Sequence, residues 1–260
     1  MSGKIPSRWL GFVQQHATIF DDDLVPNAKI LAIGGAEQSH VNLARPEEVF
    51  YEYLARIANH IQVLKPAGST LRMLHLGAGA LTLARWASVV YPGSTHVAVD
   101  IERELLDFVL EELPLPQGCD LTTVVADARE VLVNELAGQQ FDVIIVDIFS
   151  GPEAPEHLTV PEYYKLLGVA LQPDGLLFVN IGDDPPLRFT DSQVKAAEQH
   201  LDSVMLSAPP QMFTRRYPGN LVLTAAKKSL DPSAIAACEA AGPFPSEIRY
   251  SVGLDGFGKP

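Results

Sequence analysis

From residue 69 onward, short apolar runs bounded by turn residues alternate with longer stretches whose apolar positions recur at helical spacing. The runs Leu71–Leu76, His96–Val99, Leu121–Val125, Phe141–Val146 and Gly175–Ile181 read as buried strands. Helices are predicted between them at about Leu81–Val90, Arg103–Glu112, Arg129–Leu136 and Pro161–Leu171. Strand and helix in turn predict an α/β domain, a parallel sheet with helices on both faces. The tail breaks this rhythm, because Val204–Ser207 and Leu221–Ala225 are strand-like but separated by a loop, Met212 to Gly219. An antiparallel final pair follows, which brings the predicted sheet to seven strands. Asp231 before Pro232 is placed to cap a short helix through Ala240, and the Gly- and Pro-containing end from Gly242 is expected to be partly loose.

Upstream, Lys29–Ile33 and Ser39–Leu43 flank Gly34-Gly35 and predict a small β-hairpin. Pro46-Glu47-Glu48 then has the composition of a helix start. Val49, Tyr53, Leu54, Ile57 and Ile61 carry the helical pattern to Leu64. The expected organisation is an N-terminal hairpin and helix region, 1–66, followed by a Rossmann-like domain, 67–260.

Composition narrows the partners. The 260 residues carry a formal net charge of −13 and no cluster of Lys and Arg beyond the pairs Arg215-Arg216 and Lys227-Lys228, which argues against nucleic acid. The only two cysteines, Cys119 and Cys238, are far apart, so neither a disulfide framework nor a metal site is expected. Met1–Trp9 has no apolar core of signal-peptide length, and no stretch approaches the roughly 20 apolar residues of a membrane span. A cytoplasmic protein with no membrane partner and no metal is the expectation.

In open α/β sheets ligands bind outside the carboxyl ends of the strands, and here those ends are polar. The first gives Gly77-Ala78-Gly79-Ala80, whose glycines allow the backbone to approach a nucleoside; a tight turn without a ligand is the plain alternative. The second ends at Asp100, 21 residues after Gly79. That is close to the roughly 20-residue offset at which an acid receives ribose hydroxyls, although Asp100 also suits a helix cap. The third and fourth strands give Asp127-Ala128 and Asp147. No phosphate-binding G-x-x-x-x-G-K-[ST] is present, and Thr82 stands where a dinucleotide fingerprint has its last glycine. An adenosine without phosphates, as in an S-adenosyl sulfonium, fits this set better than a nucleotide does.

From Gln38 to about Ala225 the order of these motifs resembles the spermidine synthase, or polyamine aminopropyltransferase, family, a branch of the class I methyltransferase fold. The resemblance rests on Gln38 in the hairpin, Phe50-Tyr51-Glu52 where the family has Y-H-E, the loop Gly77–Leu81, Asp100-Ile101, Asp127-Ala128, and Asp147-Ile148-Phe149-Ser150-Gly151-Pro152 where it has D-S-S-D-P. It implies a Rossmann-like, mostly parallel seven-stranded sheet with an antiparallel C-terminal strand, and a homodimer. Decarboxylated S-adenosylmethionine would be the co-substrate, held by Gln38, Gly77, Gly79, Asp100, Ile101, Asp127 and Ala128. Asp147 would be the base acting on an amine, and Tyr51, Glu52, Ser150 and Asp183 would line the amine side. His157-Leu158-Thr159 and Glu162-Tyr163-Tyr164 look like the family's post-loop helix.

Two family carboxylates are missing. Ala80 stands where an aspartate binds the cofactor amine, and Ser150 stands for the second acid of D-S-S-D-P. Moving an ammonium from water into a pocket requires a paired charge or several acceptors. Glu52, Glu153, Glu156, Asp183 and Asp184 are the acids available to replace them. Tyr51 and Tyr53 are in reach of a ligand, but aromatic residues on such a helix are more often packing, and His75, inside a strand, is expected to be a core residue. Methyl transfer from S-adenosylmethionine itself, and nucleoside binding without catalysis, are the alternative functions.

Overall fold

The computed structural model describes residues 5–148 and 154–250. Two sheets organise them. The smaller is antiparallel in the order β1 (Ser7–Leu10), β2 (Gln15–Asp21), β3 (Ala28–Ile33) and β4 (Ala36–Asn42). The β3–β4 turn is the expected hairpin, with Gly34 and Gly35 both at positive φ and Ile33 facing Ala36 across it. The hairpin is only half of this sheet. β1 and β2 escaped the sequence reading because β1 has a single buried side chain, Leu10, and β2 buries only Ala17 and Ile19 among polar neighbours.

α1 (Glu52–Leu64) starts later than its sequence suggests. Asn42 accepts from the amides of Ala44 and Arg45, and Glu48 N–H donates to the Arg45 carbonyl, so Pro46-Glu47-Glu48 forms a turn before the helix. α1 then packs on the large sheet, against β11 (Gly219–Ala226) and α7 (Pro232–Ala241).

The large sheet contains β5 (Arg72–Leu76), β6 (Thr95–Asp100), β7 (Asp120–Val125), β8 (Phe141–Val146), β9 (Leu171–Asp183), β10 (Ser203–Ala208), β11 and β12 (Glu247–Tyr250). Its order is β12-β10-β11-β9-β8-β5-β6-β7. β5 to β9 run parallel, whereas β11 pairs antiparallel with both β9 and β10. The mostly parallel sheet with an antiparallel C-terminal strand is therefore present, with eight strands rather than seven. β12 is the addition. Four residues bearing Glu247 and Arg249 offer no apolar run, and Ile248, facing Ser207, is its one buried side chain.

The helices α2 (Thr82–Val90), α3 (Arg103–Glu112), α4 (Glu130–Val133), α5 (Pro161–Ala170) and α6 (Arg188–Glu198) complete the layers. α4 is one turn, shorter than expected. α6 was not legible at all: it follows Pro185-Pro186, and its buried positions are mostly Thr190, Gln193 and alanines, too polar to print an apolar stripe. Strand alternation sorts the core, Leu74 and Leu76 packing with the α4–α6 side and Met73 with α1 and α2. Each such side chain removed from water contributes roughly 1.5–3 kcal/mol. The small sheet joins the core through Leu10, Ile19 and Leu31, which pack with Ala84 of α2 and Phe108 of α3. Among the described residues no helix is long and apolar enough to cross a membrane.

β5 is the switch point, since the chain continues from it to β6 and β7 on one side and to β8 and β9 on the other. The carboxyl ends of β5, β6 and β8 consequently open onto one crevice, which the small sheet walls.

Candidate active site

Two glycines let the walls approach. Gly77 has φ +92, and a Cβ there would lie 2.4 Å from the Asp147 carbonyl oxygen; any side chain would push apart the ends of β5 and β8. Gly79 brings the loop against β4, where Ser39 Oγ accepts from the Ala80 amide at 3.1 Å. Between them opens a cavity of about 440 Å³, lined by Gln38, Gly77, Gly79, Asp100, Ile101, Asp127, Ala128 and Asp147 among others. The strand-end residues singled out in the sequence thus meet in one space, of the size small-molecule sites occupy.

Asp100 sits at the end of β6. Its two oxygens accept from the amides of Ala78 and Glu102, both at 2.9 Å. Burial raises its pKa, and these backbone donors oppose the rise. The capping contact and a free acceptor edge coexist, because each carboxylate oxygen has a second lone pair. Asp127 holds the start of α4 through the amides of Arg129 and Glu130, and its other oxygen meets His157 Nε2 at 2.7 Å. Burial alone would raise its pKa; His157 and the two amides outweigh it and keep the carboxyl below its usual range. Glu102 accepts from the amides of Gly11, Phe12 and Val13, which fastens the β1–β2 turn over the same cavity.

Asp147 follows β8. Its Oδ1 accepts from Asn180 Nδ2 at 2.8 Å, its Oδ2 from the Tyr53 hydroxyl at 3.2 Å, and Asn220 in turn donates to Asn180 Oδ1 at 2.8 Å. Burial raises the Asp147 pKa, and these two donors partly restrain it. Burial and the neighbouring carboxylate likewise push up the Tyr53 hydroxyl, so it remains a donor at neutral pH. Asp147 also lines a second cavity of about 340 Å³, with Glu37, Gln38, Tyr51, Tyr53, Ile148, Asn180 and Asn220. Burial and the nearby Glu37 push the Tyr51 hydroxyl up to about 12. A third chamber of about 460 Å³ shares Tyr51, Tyr53 and Asn220 and adds Glu52, Arg56 and Gln211.

The amine-side expectations divide. Tyr51 lines the second cavity, whereas Glu52 lines only the third, where it pairs with buried Arg56 at 2.7 Å. Asp183 is not brought to either wall. Its carboxylate accepts from the amide and hydroxyl of Thr190 at 2.7 and 2.9 Å and from the Asp184 amide at 2.8 Å, an arrangement that secures the start of α6. Glu156 and Asp184 are not among the lining residues either. Ser150 and Glu153 lie outside the described residues. Ala80 is buried behind the glycine loop rather than on the cavity surface. His75 is a core residue, its Nε2 3.2 Å from Nδ1 of His96.

Sequence reasoning missed Glu37, Asn180 and Asn220, and left Tyr53 undecided. Asn180 had a signal: an isolated amide inside the apolar run Leu176–Ile181 requires a partner. Glu37 had none, being one of several exposed polar residues at the start of β4.

The wider likeness of the chain agrees with this geometry. A family model described as the spermine/spermidine synthase domain matches residues 16–234. The polyamine aminopropyltransferase of Neisseria meningitidis is 26% identical over 176 residues, 66% of this chain and 65% of that protein; the chain thus matches just under two thirds of that relative's length. The crystal structure of a probable spermidine synthase from Corynebacterium glutamicum superimposes with TM-score 0.88 at 26% identity, covering 99% of this chain and 95% of the other. That of spermidine synthase from Thermotoga maritima, at 17% identity, shares the fold with TM-score 0.59 over 98% and 84% of the two chains. With the family model covering residues 16–234, which include β3 to β11 and most of the cavity lining, the chain belongs to the spermine/spermidine synthase family.

Proposed function

We propose that the chain transfers an aminopropyl group from decarboxylated S-adenosylmethionine to a di- or polyamine. The observation that carries this reading is the position of Asp147. Its carboxylate, oriented by Tyr53 and Asn180, forms wall common to the nucleoside-sized cavity and to a polar one beside it.

The residues present suit the co-substrate. Asp100 offers acceptor edges to ribose hydroxyls, and Ile101, Ala128 and Leu158 supply apolar surface for a base. Among the described residues that line the two cavities there is no Lys or Arg, whereas Glu37, Asp100, Glu102, Asp127 and Asp147 are acids. A substrate carboxylate would find no cationic partner there, while a sulfonium bearing an ammonium suits the field. This favours the decarboxylated form.

The sulfonium supplies an electrophilic methylene and a leaving group that departs as a neutral thioether. The chain's own work lies at the nucleophile. An alkylamine with pKa near 10.4 is protonated at neutral pH and does not attack. Asp147 is placed to bind that ammonium and to take or relay its proton as nitrogen bonds to the methylene and the carbon–sulfur pair returns to sulfur. Its raised pKa makes it a stronger base than an exposed aspartate.

Incubation of the purified, ligand-free protein with decarboxylated S-adenosylmethionine and putrescine, cadaverine or spermidine should yield methylthioadenosine and the aminopropylated amine. Absence of product with all three would remove this reading. One observation favours methyl transfer instead: Ala80, which leaves no acid at the family's amine-binding position. Calorimetry with the two cofactors separates the cases, since methyl transfer requires tighter binding of the carboxylated form. Methylthioadenosine binding without any turnover would leave a nucleoside-binding protein.

A further inference from the structure

The acceptor side carries a pattern that the strand-end motifs do not contain. Tyr51 and Tyr53 lie on the same stretch of chain with their rings stacked, centroids 6.4 Å apart and planes 23° from parallel. Each hydroxyl donates to a different carboxylate: Tyr53 to Asp147 at 3.2 Å, Tyr51 to Glu37 at 3.4 Å. Both carboxylates line the 340 Å³ cavity, so one wall presents two acids on adjacent tyrosines. Beyond the tyrosines the third chamber has one acid among its described lining residues, Glu52, and that acid is already paired with Arg56 at 2.7 Å.

Resting on the transfer reading, we infer that Glu37 holds the non-reacting ammonium of a diamine acceptor whose other nitrogen lies at Asp147. A flexible diamine places two cations in one molecule, and two acids in one cavity hold both ends by charge-assisted hydrogen bonds. A monoamine leaves Glu37 unused. A triamine extends a third cation toward the Glu52–Arg56 pair, where no free carboxylate receives it and the guanidinium repels it. Glu37 is the second residue of β4, so the anchoring charge is supplied by the small sheet instead of by position 150, where the chain has serine.

The test uses the full chain, its Glu37→Gln and Glu37→Asp variants, and 1,4-diaminobutane, butylamine and spermidine as probes. Turnover is followed by methylthioadenosine release, and amine binding by calorimetry on protein saturated with methylthioadenosine. For wild type, diaminobutane should exceed both other amines in kcat/KM. Glu37→Gln should raise the diamine KM by about 10-fold to 100-fold, the scale of one lost charge-assisted contact. It should change kcat by no more than a few-fold, leave the KM for the sulfonium substrate as it was, and bring diamine and butylamine close to parity; Glu37→Asp should recover part of the loss. An unchanged diamine-to-monoamine ratio in Glu37→Gln, or a wild-type preference for spermidine, would overturn the assignment. The two readings fail separately. Glu37-dependent diamine binding without turnover refutes transfer and retains the diamine site, and turnover with Glu37-independent binding does the reverse.

Discussion

Replacing Gly77 with alanine tests whether the close approach of β5 and β8 matters to the chemistry as well as to folding. A Cβ at this position would lie 2.4 Å from the Asp147 carbonyl oxygen and 2.7 Å from Ile148 Cγ2, whereas real Cβ atoms essentially never come within 3.0 Å of another heavy atom. The Asp147 backbone must therefore retreat by about 0.6 Å or more, carrying its carboxylate away from Tyr53 and Asn180. Misplacement by about 1 Å can cost on the order of 100-fold in rate, so a loss of about 10-fold to 100-fold in kcat is expected. Alanine at φ +92 adds a backbone penalty of roughly 1–3 kcal/mol to stability. Gly68 provides the control, because its φ is +78 and nothing lies within 4 Å of its would-be Cβ. Gly68→Ala should show a comparable backbone cost in chemical denaturation and keep near-wild-type turnover. If Gly77→Ala loses no more activity than Gly68→Ala once both are measured well below their melting temperatures, the proposed coupling between the two strand ends is wrong.

Other outcomes follow from the same contacts. Asp183→Ala should cost about 1–2 kcal/mol through the lost α6 contacts while leaving both substrate KM values unchanged; a raised amine KM would return Asp183 to the site. Asp100→Ala should weaken methylthioadenosine binding by about 10-fold or more in calorimetry, whereas equal affinity would leave Asp100 only its role of ordering Ala78 and Glu102. Burial lowers the pKa of His60 to about 3 and of His96 to about 4 and holds His75 well down, so all three fold as neutral rings. The unfolded chain binds these protons near pH 6.5, so this contribution is complete above that pH and lost as pH falls toward the folded values. Urea midpoints should drop from pH 7 to pH 5, and His96→Gln should flatten that slope; an equal slope in the variant would refute the account.

The parts of the fold that the chain announces are those where burial leaves no choice. β5, β8 and β9 are covered on both faces, and such strands print continuous apolar runs ended by the polar residues that meet a ligand. Asp147 stood out for that reason, while Asp100 and Asp127 were found by their place after the more exposed strands β6 and β7. β1 and β12 bury one side chain each, Leu10 and Ile248, and α6 buries mostly small or polar ones, so their ladders and caps depend on neighbours that the local pattern does not reveal. The acceptor side was harder still. Glu37 belongs to β4 and Tyr51 and Tyr53 to the start of α1, which only tertiary structure brings to the end of β8, and Asp183 resembled a rim acid until the three bonds from Thr190 and Asp184 accounted for both its oxygens.

The central claim is that Asp147 acts on the nucleophile, and substitution by its near-isosteric amide tests it most directly. Parallel measurement of methylthioadenosine affinity and of turnover with decarboxylated S-adenosylmethionine and 1,4-diaminobutane should show Asp147→Asn binding the nucleoside within a few-fold of wild type while kcat falls by about 100-fold to 10,000-fold. Turnover retained within a few-fold, with the nucleoside still bound, would contradict the account.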